Sequence, residues 1–250
     1  MITIKSAEEI ELMAEAGRLT ALALAEVEKA VRPGISTKEL DRIAYDAITS
    51  MGAKPAFLNY NGFPGSICAS PNSIIVHGIP SKKIILREGD IISIDIGAVY
   101  KGYVGDMART YPVGDISEDA RKLIEVTRQS FFEGLEYVRD GNRLNQVSKA
   151  IGDYAESFGY GVVREYVGHG IGRKMHEDPS VPNYDTGRPG VRLRKGMVIA
   201  IEPMINIGTW ETVVADDDWT VSTADGSLSA HYENTVAITS DGPKILTAVE

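Results

Sequence analysis

Leu86-Arg87-Glu88-Gly89-Asp90-Ile91-Ile92-Ser93-Ile94-Asp95 and Leu193-Arg194-Lys195-Gly196-Met197-Val198-Ile199-Ala200-Ile201-Glu202 follow one plan. Each opens Leu-Arg, turns at glycine, runs through an apolar strand and ends on a carboxylate. The two copies stand 107 positions apart, and the same offset carries Val31-Arg32-Pro33-Gly34 onto Val138-Arg139-Asp140-Gly141 and Gly52 onto Gly159. Separated matches at one offset mark an internal duplication, with a period far longer than that of a solenoid repeat. The expectation is one domain over residues 1–250, built from two copies of about 6–113 and 117–240.

The rest of each copy is helical. Ser6 and Glu9 form a capping box ahead of Ile10, Met13, Gly17, Leu24, Val27 and Val31 at helical spacing, which predicts a helix from Ser6 to Val31. Pro33-Gly34 breaks it, and Ser36 with Glu39 starts a second helix ending near Gly52. The second copy places helices at about 117–138 and 144–158, separated by Asp140-Gly141. Strands are expected at 90–99, 103–113, 162–166 and 197–207. Burying one sheet face under the helices of each copy gives an α+β fold with pseudo-twofold symmetry.

Strand alternation then sorts the side chains. Ile92, Ile94 and Ile96 share the helix-facing side, and Asp95 shares the other with Ser93 and Gly97. In the second copy Ile199 and Ile201 face the helices, while Glu202 lies opposite with Ala200. A symmetry axis between the copies brings the two acids together. A hairpin turning at Tyr100-Lys101 sets Asp106 directly across from Asp95, with Cβ atoms about 4.5–5.5 Å apart. Like charges so placed need a cation between them, and Asp95 sits in an apolar run where an unpaired charge is costly. His169, set among Gly168, Gly170 and Gly172, and Glu233, entering a last strand, are further donors. Singly, each is ordinary: a structural histidine, a surface acid. Their combination points to a divalent-metal centre.

Bulk properties exclude other classes. The 250 residues are 43% hydrophobic and 24% charged, the usage of a soluble globular protein. No apolar run nears the roughly 18 residues that span a bilayer, and the start, Met-Ile-Thr-Ile-Lys, lacks a signal-peptide pattern. A cytoplasmic location without membrane partner is expected. A net charge of −9 argues against nucleic acid as main ligand. The single cysteine, Cys68, excludes an internal disulfide and a Cys-rich zinc module.

The ordered motifs Val76-His77-Gly78-Ile79-Pro80, Ser93-Ile94-Asp95-Ile96-Gly97, Tyr103-Val104-Gly105-Asp106, Gly168-His169-Gly170-Ile171-Gly172, Ile201-Glu202-Pro203-Met204 and His231-Tyr232-Glu233-Asn234-Thr235 resemble the short bacterial type I methionine aminopeptidases. The resemblance covers nearly the whole chain and implies the pita-bread fold, with a curved antiparallel sheet under helices. It implies two divalent ions (Co, Mn, Fe or Zn), with Asp95 on one, Asp106 and Glu233 bridging, and His169 and Glu202 on the other. Glu202 would move the proton of the attacking water, His176 would donate to the substrate carbonyl, and His77 would bind the peptide. The methionine pocket would comprise Phe57, Tyr60, Phe63, Cys68, His77, Met175, His176 and Trp219. Phe57 stands where many bacterial members have cysteine, and Met175 where they have phenylalanine, so the pocket's shape differs. Asn72, Ile74 and Ser229 match a monovalent-cation site for Na or K. Of the four histidines, His231 matches no site role and reads as structural.

Substrates would be peptide N-termini beginning with Met, with the ribosome as a further partner, acted on by a monomer. A proline-specific peptidase of the same fold would use the same ligands but usually carries an extra N-terminal domain. A non-catalytic binding protein on this scaffold would lack one or more ligands.

Overall fold

Ser6 and Ser36 each accept the backbone N–H of the glutamate three residues on, and Glu9 and Glu39 bond back to the serine N–H groups. Both capping boxes therefore form, and they start α1 (Ala7–Ala30) and α2 (Thr37–Ser50). In the second half Ser117 caps α3 (Glu118–Leu135), and the Gln146 side chain accepts the Arg143 N–H ahead of α4 (Leu144–Glu156). The computed structural model describes residues 1–249.

The first-half strands are β1 (Lys54–Pro55), β2 (Ile67–Pro71), β3 (Ile74–Val76), β4 (Ile91–Tyr100) and β5 (Tyr103–Pro112). The second half carries β6 (Gly161–Val162), β7 (Gly168–Gly170), β8 (Glu177–Val181), β9 (Val198–Ile201), β10 (Met204–Asn206), β11 (Thr212–Val214), β12 (Val221–Thr223), β13 (Ser229–His231), β14 (Glu233–Thr239) and β15 (Gly242–Ile245). A nine-stranded sheet runs β1-β4-β5-β14-β9-β7-β8, with β2 on β4 and β15 on β14. The β5–β14 pair joins the halves at its centre.

One apolar cluster lies under the helices of each half. Ile92, Ile94 and Ile96 pack with Leu24, Val27, Leu40 and Ile48 in the first, and Ile199 and Ile201 pack with Phe131, Val147 and Ile151 in the second. Each buried isoleucine contributes about 1.5–3 kcal/mol. A one-residue slip would turn these side chains out and drive Asp95 into the core, which fixes the register.

Two strand expectations need correction. The 197–207 run is two strands, because Glu202-Pro203 interrupts the ladder where proline has no N–H to donate. Of the 162–166 run only Val162 is in a strand, the end of β6, which pairs with β10 in a separate three-stranded sheet with β13. The β4–β5 register also differs. Tyr100 pairs with Tyr103, so the turn is Lys101-Gly102, with φ of 48° and 80°. Two left-handed residues make the turn that suits hairpin twist, and glycine takes the second at no steric cost. Asp95 consequently pairs with Ala108, and Asp106 with Gly97. The two carboxylates are diagonal neighbours, not directly opposed. The diagonal leaves a wider gap between them than a direct pair would.

Candidate active site

Register places the acids in two adjoining rows on the sheet face away from the helices. One row runs Asp95, Ala108, Glu233 across β4, β5 and β14. The next contains Gly97 and Asp106, then Thr235, Ala200 and His169 across β14, β9 and β7. The Thr235 hydroxyl joins the two halves of that second row, accepting from the Asp106 N–H at 3.1 Å and donating to its carbonyl at 2.9 Å. Glu202, one residue past β9, completes the set. The glycines beside His169 permit close approach: a Cβ on Gly168 would lie 2.4 Å from the Ala200 carbonyl oxygen, and one on Gly170 2.0 Å from that of Asp178.

The donor atoms converge. His169 Nε2 lies 3.7 Å from Asp106 Oδ2 and 3.6 Å from Glu202 Oε1. Donor atoms of Asp106, His169 and Glu233 all fall within 4.8 Å of one another. Asp95 Oδ1, Asp106 Oδ1 and Glu233 Oε1 are buried and have no hydrogen-bond partner among the described residues. Burial, with Asp95 beside Asp106, raises the Asp106 carboxyl well above its ordinary range; burial and neighbouring carboxylates do the same to Glu202 and Glu233. Burial pushes Asp95 up to about 7. Four clustered carboxylates, Asp106 and Glu233 fully buried and Asp95 and Glu202 largely so, are costly without a cation. On the His169 ring, Nδ1 lies 2.9 Å from the Gly170 carbonyl oxygen, and the neutral ring must donate there. That leaves the Nε2 lone pair toward the carboxylates, the arrangement of a metal-ligating histidine. The site therefore fits divalent cations.

A cavity of about 210 Å³ opens beside these groups, lined by every residue expected in the methionine pocket and by all five expected ligands. Phe63 meets Trp219 edge to face at 5.2 Å between centroids, and Gly97 lies under Phe57 and Met175. Tyr60 Oη lies 2.8 Å from His176 Nδ1, and the His176 ring is 4.2 Å from that of His169. His77 adopts a left-handed φ of 59° with its ring against Tyr166 and Trp219. Burial lowers His77 and His169 to about 4 and keeps His176 below its ordinary value, so all three are neutral near pH 7.

Sequence reasoning missed two neighbours. Asn61, with φ 49°, lines the cavity from a loop no periodicity could orient. His231, read from sequence as structural, has Nε2 3.9 Å from Glu202 Oε2 and 4.0 Å from Glu233 Oε2, and neither ring nitrogen has a partner among the described residues. Its position two residues before Glu233 was the available signal. The expected cation-site residues come together in part: the Asn72 carbonyl accepts the Ser229 N–H at 2.9 Å, and Ile74 pairs with Ser222.

Residues 11–240 match metallopeptidase family M24. The chain belongs to that family. Among M24 relatives, the methionine aminopeptidase of Clostridium acetobutylicum is 57% identical over 252 residues, covering all of both chains. The crystal structure of methionine aminopeptidase from Rickettsia prowazekii superposes with a TM-score of 0.97 at 43% identity, covering 99% of this chain and all of that one. The α+β architecture is thus the pita-bread fold, with a curved antiparallel sheet beneath four helices. Prolidase from Pyrococcus furiosus shares it at a TM-score of 0.80 and 28% identity, but this chain spans only 66% of that one. No helix among the described residues is long and apolar enough to cross a membrane.

The M24 carboxylate cluster makes stability depend on pH in the metal-free protein. Carboxyls raised in the folded state hold protons that the unfolded chain releases, so they cost stability as pH rises toward their folded values. Lowered histidines act oppositely, but only up to their unfolded value of about 6.5. Between pH 6.5 and 8 the carboxylates alone act, and the melting temperature of chelator-stripped protein is expected to fall. Adding Mn(II) should raise it more at pH 8 than at 6.5, because ligands bind as anions. A melting temperature that climbs over this window in stripped protein contradicts the clustering.

Proposed function

We propose that this chain removes the N-terminal methionine from peptides whose second residue is small. The observation that carries this is a single cavity of about 210 Å³ lined both by the metal donors and by Phe57, Phe63, Cys68, Met175 and Trp219. Aromatic and sulfur contacts suit a flexible thioether, and the volume suits one unbranched side chain.

Asp95 would hold one divalent ion, His169 with Glu202 would hold the other, and Asp106 and Glu233 would serve both. Such ions supply a nucleophilic water at neutral pH and Lewis acidity toward the scissile carbonyl. Carboxylate-rich donors suit Mn(II), Fe(II) or Co(II), with zinc also compatible. Glu202 takes the proton from the attacking water and delivers it to the departing amine. His176 accepts a hydrogen bond from the Tyr60 hydroxyl at Nδ1, so its own proton stays on Nε2 and is offered as a hydrogen bond to the carbonyl oxygen as charge develops there. His77, which lines the cavity, would hydrogen-bond to the peptide being cleaved. Asn72, Ile74 and Ser229 would offer carbonyl oxygens to Na or K, the Asn72 oxygen keeping one lone pair beyond its bond to Ser229. A monomer working in the cytoplasm on new chains, at or off the ribosome, completes the reading. The halves 6–113 and 117–240 are read as a duplication within one catalytic domain, supported by Asp95 and Glu202 each lying four residues on from the start of β4 and β9.

With Mn(II) or Co(II), the protein is expected to release methionine from Met-Ala and Met-Gly peptides, and to fail on Xaa-Pro substrates and on bulky second residues. Equal cleavage of Leu- and Met-initiated peptides defeats the methionine assignment. Preferential Xaa-Pro cleavage favours the prolidase-like alternative, and no hydrolysis with any of the metals favours a binding protein.

A further inference from the structure

We propose that Lys5 is a positioning residue for the reaction: through its ion pair with Glu177 it fixes the segment that carries His176. The inference rests on the donor role given to His176 above.

Residues near a chain terminus are poorly ordered unless tied down, yet Lys5 is only 6% exposed. Its Nζ lies 2.7 Å from Glu177 Oε2, with side-chain exposures of 4% and 11% for the two partners. Its backbone N–H donates to the Gly196 carbonyl at 2.7 Å. The strap that leads into α1 of the first half is therefore anchored on the second half. Gly172 makes room for the pair, because a Cβ there would lie 2.6 Å from Lys5 Cε and 2.7 Å from Glu177 Oε1. Burial pushes the Glu177 carboxyl up, but the Lys5 hydrogen bond and charge outweigh it and hold it below its ordinary value. The carboxylate also accepts the Lys174 N–H at 3.3 Å, closing the 171–176 turn between β7 and β8.

That turn presents Met175 and His176 to the cavity. On its outer side, Arg173 stacks on Tyr103 and reaches Glu9 at 3.8 Å with its own side chain 67% exposed. Such exposed contacts are screened and hold position weakly. The buried pair is different. It adds little stability over an apolar pair of the same size, but its directional bonds admit one placement of Glu177. His176 is the adjacent residue, so its ring has one place against Tyr60 and His169. Misplacement by about 1 Å can cost up to about 10²-fold in turnover.

The test is a double-mutant cycle on the metal-loaded enzyme with a Met-Ala peptide. Lys5→Met is expected to lower kcat about 10- to 100-fold, with KM changed less than about twofold and both metals retained. In a His176→Ala background the same substitution should lower kcat less than about twofold, because a clamp acting through His176 has nothing left to position. Glu177→Gln carries the same cycle if Lys5→Met does not fold. An equal loss in both backgrounds overturns the proposal, as does unchanged kcat, a loss traced to metal content, or an effect confined to KM, which would place the clamp's action at Met175. Full activity in His176→Ala itself overturns the donor role instead, so the two failures are distinct.

Discussion

Asp106→Asn is expected to remove at least one equivalent of metal and to lower turnover by about 10³-fold or more. Asp106 is 3% exposed, sits beside Gly97 in the middle of the sheet, and turns an unpartnered oxygen to the cavity. Its other oxygen lies 3.7 Å from His169 Nε2, so with Glu233 it stands between the Asp95 side of the site and the His169–Glu202 side. Asparagine keeps the shape but removes the negative charge and replaces one acceptor by a donor. Divalent ions held there would supply several kcal/mol of transition-state charge stabilisation, and each 1.36 kcal/mol is tenfold in rate. Metal content by elemental analysis and hydrolysis of Met-Ala check it together. The metal-free variant should also melt higher than metal-free parent protein, because one member of a repelling cluster has been neutralised. A variant that keeps both metals and parental turnover removes Asp106 from the centre.

Much of this site was legible before any coordinates, for a physical reason. Strand alternation is strict, and the repeat fixed which face each copy turns to its helices, so Ile92, Ile94, Ile96, Ile199 and Ile201 were assignable to the cores and Asp95 and Glu202 to the opposite face. The diagonal placement of Asp106 was not legible, because it depends on which two residues turn. Lys101-Gly102 was the better choice on turn chemistry, since glycine tolerates the left-handed second position. His169 and Glu233 lie on separate strands whose order follows no local rule, and placing them with the other acids rested mainly on the family resemblance. Loops gave least. Nothing in the spacing of Tyr60, Asn61 and His176 shows that a tyrosine hydroxyl would meet an imidazole 116 residues away. No sequence pattern marks Lys5, because the contacts that hold it come from the second half.

His176→Ala separates the two functions that share this cavity. The substitution is expected to leave both metals bound, since the imidazole touches the centre only through the His169 ring and its Nδ1 is engaged by Tyr60. Turnover should fall about 10²–10⁴-fold, the scale for removing a positioned donor or proton-transfer group. The loss should appear in kcat and equally in kcat/KM, because the bond strengthens only as the carbonyl oxygen gains charge. Tyr60→Phe discriminates further. Without the hydroxyl, Nδ1 loses its partner, and the imidazole proton divides between the two nitrogens. The rate should then fall by less than in His176→Ala, and Tyr60→Phe should add little to His176→Ala in the double variant. Loss of metal from His176→Ala would make the histidine a ligand rather than a donor. A fall in affinity with kcat intact would confine it to holding substrate, leaving charge stabilisation to the metals alone.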